Sequence, residues 1–305
     1  MSKILTHTEI MEQLPCVDRF VMFDRVIIDS DTKIRGLKSV TMNEWYFQGH
    51  FPNHPIVPGV LQVESMAQLA ELAVWKKLDP ERKGDIYIKE LNKVKFRRPS
   101  TPGDRILFDM EIIGETSDSF TFSATARNNS GVACQAQLTL GVRPRVEMDI
   151  PQEFNQYDKS DACLMDVTKI ASIIPHRYPF LFVDYVVKID GSHMIAIKNA
   201  TSEEPAFRRY ADHYSVLSGS VHPEIVAQAG AISILSKEEN KGKIALFMTI
   251  EHSESTETPV LPGDQMILEF ELPDAKSRIG KGAGTLSVNG KLITQTQIMF
   301  AMVPA

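Results

Sequence analysis

Apolar residues along the chain fall into two kinds of run. Between 59 and about 78 almost every position is apolar: Val60, Leu61, Val63, Met66, Ala67, Leu69, Ala70, Leu72, Ala73 and Val74. Such an Ala-rich run predicts a helix that is apolar nearly all round and therefore buried. Pro58-Gly59 suits its start and Asp79-Pro80 its end. Elsewhere shorter stretches at 19–28, 34–40, 86–96, 105–113, 120–128 and 133–142 read as strands, separated by Gly, Pro, Asn and Ser turns. Thr6-x-x-Glu9 is a capping box before a short helix through Gln13. One long helix with several antiparallel strands is an α+β layer.

The pattern then begins again. A polar, acidic stretch at 146–165 reads as a linker between a first domain at 1–145 and a second at 166–305, and Asp166 caps a short helix through Ile174. Adding 160 to a first-half number keeps finding the same residue: Pro15 meets Pro175, Asp24 meets Asp184, and Lys38 meets Lys198. Thr41, Glu44 and Phe47 meet Thr201, Glu204 and Phe207; Gly59, Glu64, Ala67 and Gln68 meet Gly219, Glu224, Ala227 and Gln228. Pro99, Pro102, Gly103 and Asp104 meet Pro259, Pro262, Gly263 and Asp264, and Gln135 and Gln137 meet Gln295 and Gln297. One register across both halves is an internal duplication.

Composition narrows the function. With 305 residues, 43% hydrophobic and 24% charged, the chain is expected to be a soluble two-domain protein. A net charge of −6 argues against general nucleic-acid affinity. No apolar run approaches the ~18 residues of a membrane span, and the N-terminus has no apolar core of a secretory signal. Cys16, Cys134 and Cys163 are odd in number and lack metal-type spacing, so free thiols in a reducing cytoplasm are expected.

The candidate chemistry sits where the long helix begins. Gly49-His50-Phe51-Pro52-Asn53-His54-Pro55-Ile56-Val57-Pro58-Gly59 is a proline-stiffened loop leading into that helix. Glu64 and Gln68, four apart, share one helix face. A carboxylate in a buried helix is costly unless it is paired or its pKa is raised. Taken alone it reads as a structural glutamate; the nearby histidine favours a functional one. In the second half Tyr210 stands where His50 does, and Ala211, Asp212, His213, Tyr214 and Ser218 replace Phe51, Pro52, Asn53, His54 and Pro58. Yet Glu224 and Gln228 remain on an apolar helix.

The Gly-His-Phe-Pro-x-His-Pro-x-x-Pro-Gly-Val-Leu stretch, with the Glu and Ala-x-Gln behind it, resembles the active-site segment of FabZ-type 3-hydroxyacyl-acyl-carrier-protein dehydratases, a hotdog-fold family. Lys93-Val94-Lys95-Phe96-Arg97-Arg98-Pro99 and, in the second half, Pro175-His176-Arg177-Tyr178-Pro179-Phe180-Leu181 extend the resemblance. It implies a double hotdog, an α+β pseudo-dimer with each sheet wrapped round a central helix. It further implies dehydration of 3-hydroxyacyl thioesters to trans-2-enoyl thioesters, with no cofactor beyond the phosphopantetheine arm of an acyl carrier protein, and no metal. Family members resemble dimers in which each site takes its histidine from one protomer and its acid from the other. The pairing expected here is therefore His50 with Glu224, leaving Glu64 as a remnant; His50 with Glu64 is the other arrangement.

In this reading His50 is the base, and the acid, its pKa raised by an apolar pocket, protonates the leaving hydroxyl. The Gly59 N–H at the helix start stabilises the thioester oxygen. Gln228 or Gln68 holds the carboxylate, and Phe51, Pro58 and Val60 border the substrate. His54 is expected to be structural; His176 either lines the acyl path or packs; His7, His193, His213, His222 and His252 carry no signal. Lys89, Lys93, Lys95, Arg97 and Arg98 form a basic strand whose second-half counterparts are not basic. Unless it is only a solvated face, it suits docking of an acidic carrier. Assembly into a homo-oligomer, a trimer of such chains, fits the resemblance. The rival readings are a hotdog thioesterase or CoA hydratase, whose relatives lack the His-Phe-Pro loop, and a non-catalytic acyl-carrier-binding protein.

Overall fold

The computed structural model describes residues 2–14, 16–17, 21–146, 156–210, 212–272 and 279–304. The first half runs β1 (Lys3–Leu5), α1 (His7–Gln13), β2 (Cys16–Val17), β3 (Arg25–Ile28), β4 (Lys33–Ser39), α2 (Gly59–Leu78), β5 (Gly84–Phe96), β6 (Arg105–Glu115), β7 (Ser119–Asn128) and β8 (Gly131–Pro144). The second runs α3 (Lys159–Ala162), α4 (Val167–Ala171), β9 (Tyr185–Asp190), β10 (His193–Asn199), β11 (Phe207–Tyr210), β12 (Ser215–Leu217), α5 (His222–Leu235), β13 (Lys243–Ser255), β14 (Gln265–Glu271), β15 (Ile279–Val288) and β16 (Lys291–Pro304). The capping box at Thr6 and Glu9 forms as its spacing predicts. Asp166 caps α4, which stops at Ala171, short of the expected Ile174. The strand expected over 19–28 occupies only its end, and residues 147–155 of the expected linker lie outside the described residues. So does the side chain of Cys16; Cys134 is buried and Cys163 exposed, both free thiols.

Each half wraps a strongly curved antiparallel sheet round one buried helix. The two sheets do not stay separate. β5 and β13 pair edge to edge, giving one 13-stranded sheet in the order β1-β3-β4-β6-β7-β8-β5-β13-β16-β15-β14-β10-β9. Asn92 on β5 lies opposite His252, its own counterpart, so the pseudo-two-fold axis passes between them. His252 Nδ1 and Asn92 Oδ1 are 2.9 Å apart there. This junction removes two exposed sheet edges and fixes how the halves face each other.

Small devices repeat with the sequence. Lys38 pairs with Glu44 at 2.5 Å and Lys198 with Glu204 at 2.7 Å. Ser39 N–H donates to Asp24 and Asn199 N–H to Asp184. The copies part company at the loops before their long helices. In the first, Pro58 ends an irregular loop and α2 starts at once on Gly59. In the second, the counterpart region folds into the β11–β12 hairpin, which also pairs with β2 of the first copy. Ser218, Gly219 and Ser220 then make a turn, with Ser220 N–H donating to Ser218 Oγ, and α5 begins only at His222. Gly219 thus no longer sits at a helix start. The second loop, which loses its prolines, is ordered by strand pairing instead. Among the described residues no helix is long and apolar enough to cross a membrane.

The intact loop of the first copy meets the second copy at Gly49. Arg177 N–H donates to the Gly49 carbonyl at 3.1 Å, and a Cβ at Gly49 would overlap the Arg177 carbonyl oxygen. Backbone on both sides cannot yield cheaply. Gly49→Ala is expected to destabilise the fold by about 1–3 kcal/mol, read as a lowered thermal midpoint; an unchanged midpoint would mean that the two loops do not meet this closely.

Candidate functional site

The 3₁₀ turn Trp45–Gln48 delivers His50 to the centre of the molecule. Backbone holds the residue on both sides. Its N–H donates to Tyr46 O at 2.8 Å, its carbonyl accepts from Ile56 N–H at 3.1 Å, and its ring Nδ1 lies 2.8 Å from the Ile56 carbonyl. A carbonyl only accepts, so Nδ1 carries the proton and Nε2 keeps its lone pair. The His50–Phe51 peptide is cis. The Phe51 ring stacks on the imidazole at 4.0 Å, and Phe180 of the second copy meets it edge-on at 5.1 Å.

The other wall belongs to the second copy. Gln228 is fixed by two backbone contacts: its Oε1 accepts from Phe182 N–H and its Nε2 donates to Phe180 O, each at 2.9 Å. Nε2 also donates to Glu224 Oε1 at 3.0 Å. His176 Nε2 lies 3.3 Å from the same oxygen, and its ring stands 5.7 Å from that of His50. His50, His176 and Glu224 therefore form one cluster across the pseudo-dimer interface. Of the two pairings open in the sequence, the structure brings His50 together with Glu224.

Electrostatics set the protonation of this cluster. Burial, then the neighbouring His176, push the His50 imidazole down to about 4, only partly opposed by the charge of Glu224 and the Ile56 carbonyl. His50 is neutral near pH 7. Glu224 departs from the sequence expectation. Burial alone would raise its pKa, but the hydrogen bond and charge of His176, the charge of His50 and the Gln228 hydrogen bond hold it below the ordinary carboxyl value. The helix is apolar, as read, but the carboxylate is not left among apolar neighbours. His176, which the sequence leaves between lining and packing, is part of the site. Its first-copy counterpart is Cys16, so the duplication gave no hint of it; the Pro-His-Arg-Tyr-Pro-Phe segment was the available signal.

Gly59 is the first residue of α2 and is partly accessible, so its N–H points out of a 20-residue helix start. The Phe96 ring lies where a Cβ of Gly59 would be. Pro58 and Val60 are buried beside it and Phe51 is partly exposed. His54 is exposed, with its backbone closing a turn onto Phe51, and Phe51 N–H, not the His54 ring, is what this turn secures. Lys93, Lys95, Arg97 and Arg98 are exposed around Phe96; Arg97 Nε donates to Gln135 at 2.7 Å and Lys89 pairs with Asp118 at 3.3 Å.

The matching place in the other half has been filled. Glu64 accepts from Ser218 Oγ at 2.5 Å and from Gln68 Nε2 at 2.7 Å, and Gln68 Oε1 accepts from Met22 N–H. Tyr210 does not meet Glu64: fully buried, its hydroxyl donates to Asp85. Asp85 pairs with Arg143 at 2.7 Å, and Arg208 pairs with Glu71. Burial pushes Glu71 up to about 7 despite Arg208 beside it. Two buried ion pairs thus gather round Tyr210, the counterpart of His50. Among the described residues no metal-ligating cluster of His, Cys, Asp or Glu forms.

Known proteins resemble this chain in the same duplicated way. The FabA-like domain family matches residues 14–137 and again 174–297, two spans offset by the repeat length. A 3-hydroxyacyl-[acyl-carrier-protein] dehydratase FabZ of Geobacillus sp. (strain WCH70) is 43% identical over 140 residues, covering 46% of this chain and 96% of the relative. The one of Halalkalibacterium halodurans is 44% identical over 140 residues, covering 46% and 99%. Among solved structures, the dehydratase domain from the CurJ module of curacin polyketide synthase superposes with a TM-score of 0.62 at 12% identity, covering 93% of this chain and 96% of that one. A putative oleoyl thioesterase from Lactobacillus plantarum reaches 0.57 at 7% identity, covering 90% and 98%. At those identities the structural likeness speaks to the fold, a double hotdog. Two matches spanning most of its length place the chain in the FabA-like family, as a tandem FabZ-type double hotdog.

Proposed function

We propose that this protein is a hydro-lyase that dehydrates 3-hydroxyacyl thioesters carried on acyl carrier protein, with one working site per chain. The observation that carries the reading is the His50–His176–Glu224 cluster beside the Gly59 helix start. The FabZ relatives, whose printed activity is this one, support it.

The chemistry follows from the protonation states. The thioester oxygen accepts from the Gly59 N–H, where the helix dipole favours developing negative charge. His50 Nε2, neutral and aimed by the Ile56 carbonyl, removes a proton from Cα. Glu224, ionised in the free site, accepts the hydrogen bond of the 3-hydroxyl and favours the imidazolium that has formed. His50 then returns that proton to the departing oxygen. One C–H and one C–O bond break, a C=C bond forms, and water leaves with the enzyme unchanged. Glu224 is thus assigned to orienting and charge stabilisation rather than to storing the leaving group's proton. Gln228 and His176 position it. Gly219, displaced from a helix start, and Tyr210, committed to Asp85, cannot repeat this in the second half. The exposed Lys93, Lys95, Arg97 and Arg98 ring Phe96 at the mouth of the site and suit an acidic carrier.

Three outcomes are expected. Glu224→Gln should lower turnover of a 3-hydroxyacyl thioester by about 10²–10³-fold, whereas Glu64→Gln should largely spare it; enoyl absorbance reports dehydration and free thiol would report a thioesterase. The opposite ranking of the two variants would move the site to the other half. kcat/KM should rise with pH through about 4, as His50 loses its proton, and stay level through neutrality. A fall in kcat/KM between pH 5 and 7 would mean that a protonated carboxyl is required after all. Arg97→Glu with Arg98→Glu should raise KM for carrier-bound substrate about tenfold or more while leaving a free pantetheine thioester unaffected; equal KM values for the carrier substrate would sink the docking surface.

A further inference from the structure

Helix α5 continues inward from the site. Ala227 and Ala231 follow Glu224 by three and seven residues and so share its face. They point into the molecule, yet both are only partly buried, as are Ala245 and Phe247 on β13. The reason is an apolar pocket that these four residues line with Phe270 and Phe300. Its free space is about 20 Å³, little more than one water. The Phe247 ring meets Phe96 edge-on at 5.3 Å, and Phe96 lies against Gly59. The pocket therefore leads on from the place assigned to the thioester carbonyl.

The two halves fill this region differently. The first copy has Phe120 and Phe122 on β7, with Ala70, Met110 and Leu140 around them; the second has Gly280 and Gly282 on β15, with Gly230, Phe270 and Phe300. The aromatic bulk has moved from one strand to its neighbours. A Cβ at Gly230 or Gly282 would overlap the Phe270 ring, and one at Gly280 the Phe300 ring. The tips of the rings fill the space that side chains of β15, and at Gly230 of α5, would otherwise occupy.

Resting on the dehydratase reading, we infer that this pocket receives the acyl tail, with Phe247 narrowing its near end and Phe270 and Phe300 walling it further in, restricting the enzyme to short, unsubstituted acyl chains. Each methylene accommodated buries more apolar surface, but a chain longer than the pocket meets rings whose tips already fill the space left by the glycines. Nothing in the lining offers a hydrogen bond to a polar tail.

The test compares kcat/KM for 3-hydroxybutanoyl and 3-hydroxydodecanoyl carrier thioesters. The native protein should favour the short substrate. Phe270→Leu and Phe247→Ala should each shift the long-to-short ratio towards the long substrate by about tenfold or more, and Ala231→Leu should shift it the other way. Phe247 is partly exposed, so its variant carries the test if Phe270→Leu folds poorly. A native preference for the long chain, or an unchanged ratio in the Phe247 variant while the short substrate is still turned over, overturns the inference. Failure of the native protein to dehydrate either substrate would instead refute the dehydratase reading.

Discussion

The edge-to-edge pairing of β5 with β13 is the constraint from which the rest follows. It sets Asn92 opposite His252 on the pseudo-two-fold axis, and so carries the proline loop of the first half across to the helix of the second. The Arg177–Gly49 backbone hydrogen bond then closes the gap between the loops. Neither half on its own holds both His50 and the Glu224–His176 pair that faces it. Covalent linkage of the two copies makes the pairing independent of concentration, and it frees each copy to change alone.

Each copy has changed in a way that suits one half of a site. The first keeps the loop, the histidine and a helix that starts on Gly59. The second keeps the Glu224–Gln228 pair, with His176 added where the first copy has Cys16. Where the reciprocal site would be, Tyr210, Asp85, Arg143, Glu71 and Arg208 form a buried charged network. Such pairs contribute little net stability compared with apolar packing, but removing one partner costs about 3–5 kcal/mol. They fix the closed second site in place more than they strengthen the fold. In the first site the same low dielectric keeps His50 neutral, and the hydrogen bonds to Glu224 keep that carboxylate charged.

Much of this was legible in the residues. The apolar run after Pro58 marked the start and end of α2 correctly, and the 160-residue register showed Glu224 and Gln228 repeating Glu64 and Gln68; the pairing of Glu224 with His50 was implied by the resemblance to dimeric hotdog dehydratases. What could not be read were arrangements made by distant segments. Asp85, Glu71, Arg143 and Arg208 come from four elements, and no spacing links them. The β11–β12 hairpin depends on β2 of the other copy for a pairing partner. The turn at Ser218, Gly219 and Ser220 delays α5, although Gly219 aligns with Gly59. The direction of the Glu224 shift was missed because an apolar helix face predicts burial but not the histidine that arrives from another loop.

The most direct measurement is an NMR titration of the His50 ring in the native protein and in the Glu224→Gln and Glu64→Gln variants. The native imidazole should titrate near 4. Loss of the charge at Glu224 should move that value lower, because the charge favours the imidazolium, while loss at Glu64 should leave it in place. A His50 that responds to Glu64 and ignores Glu224 would contradict the shared site.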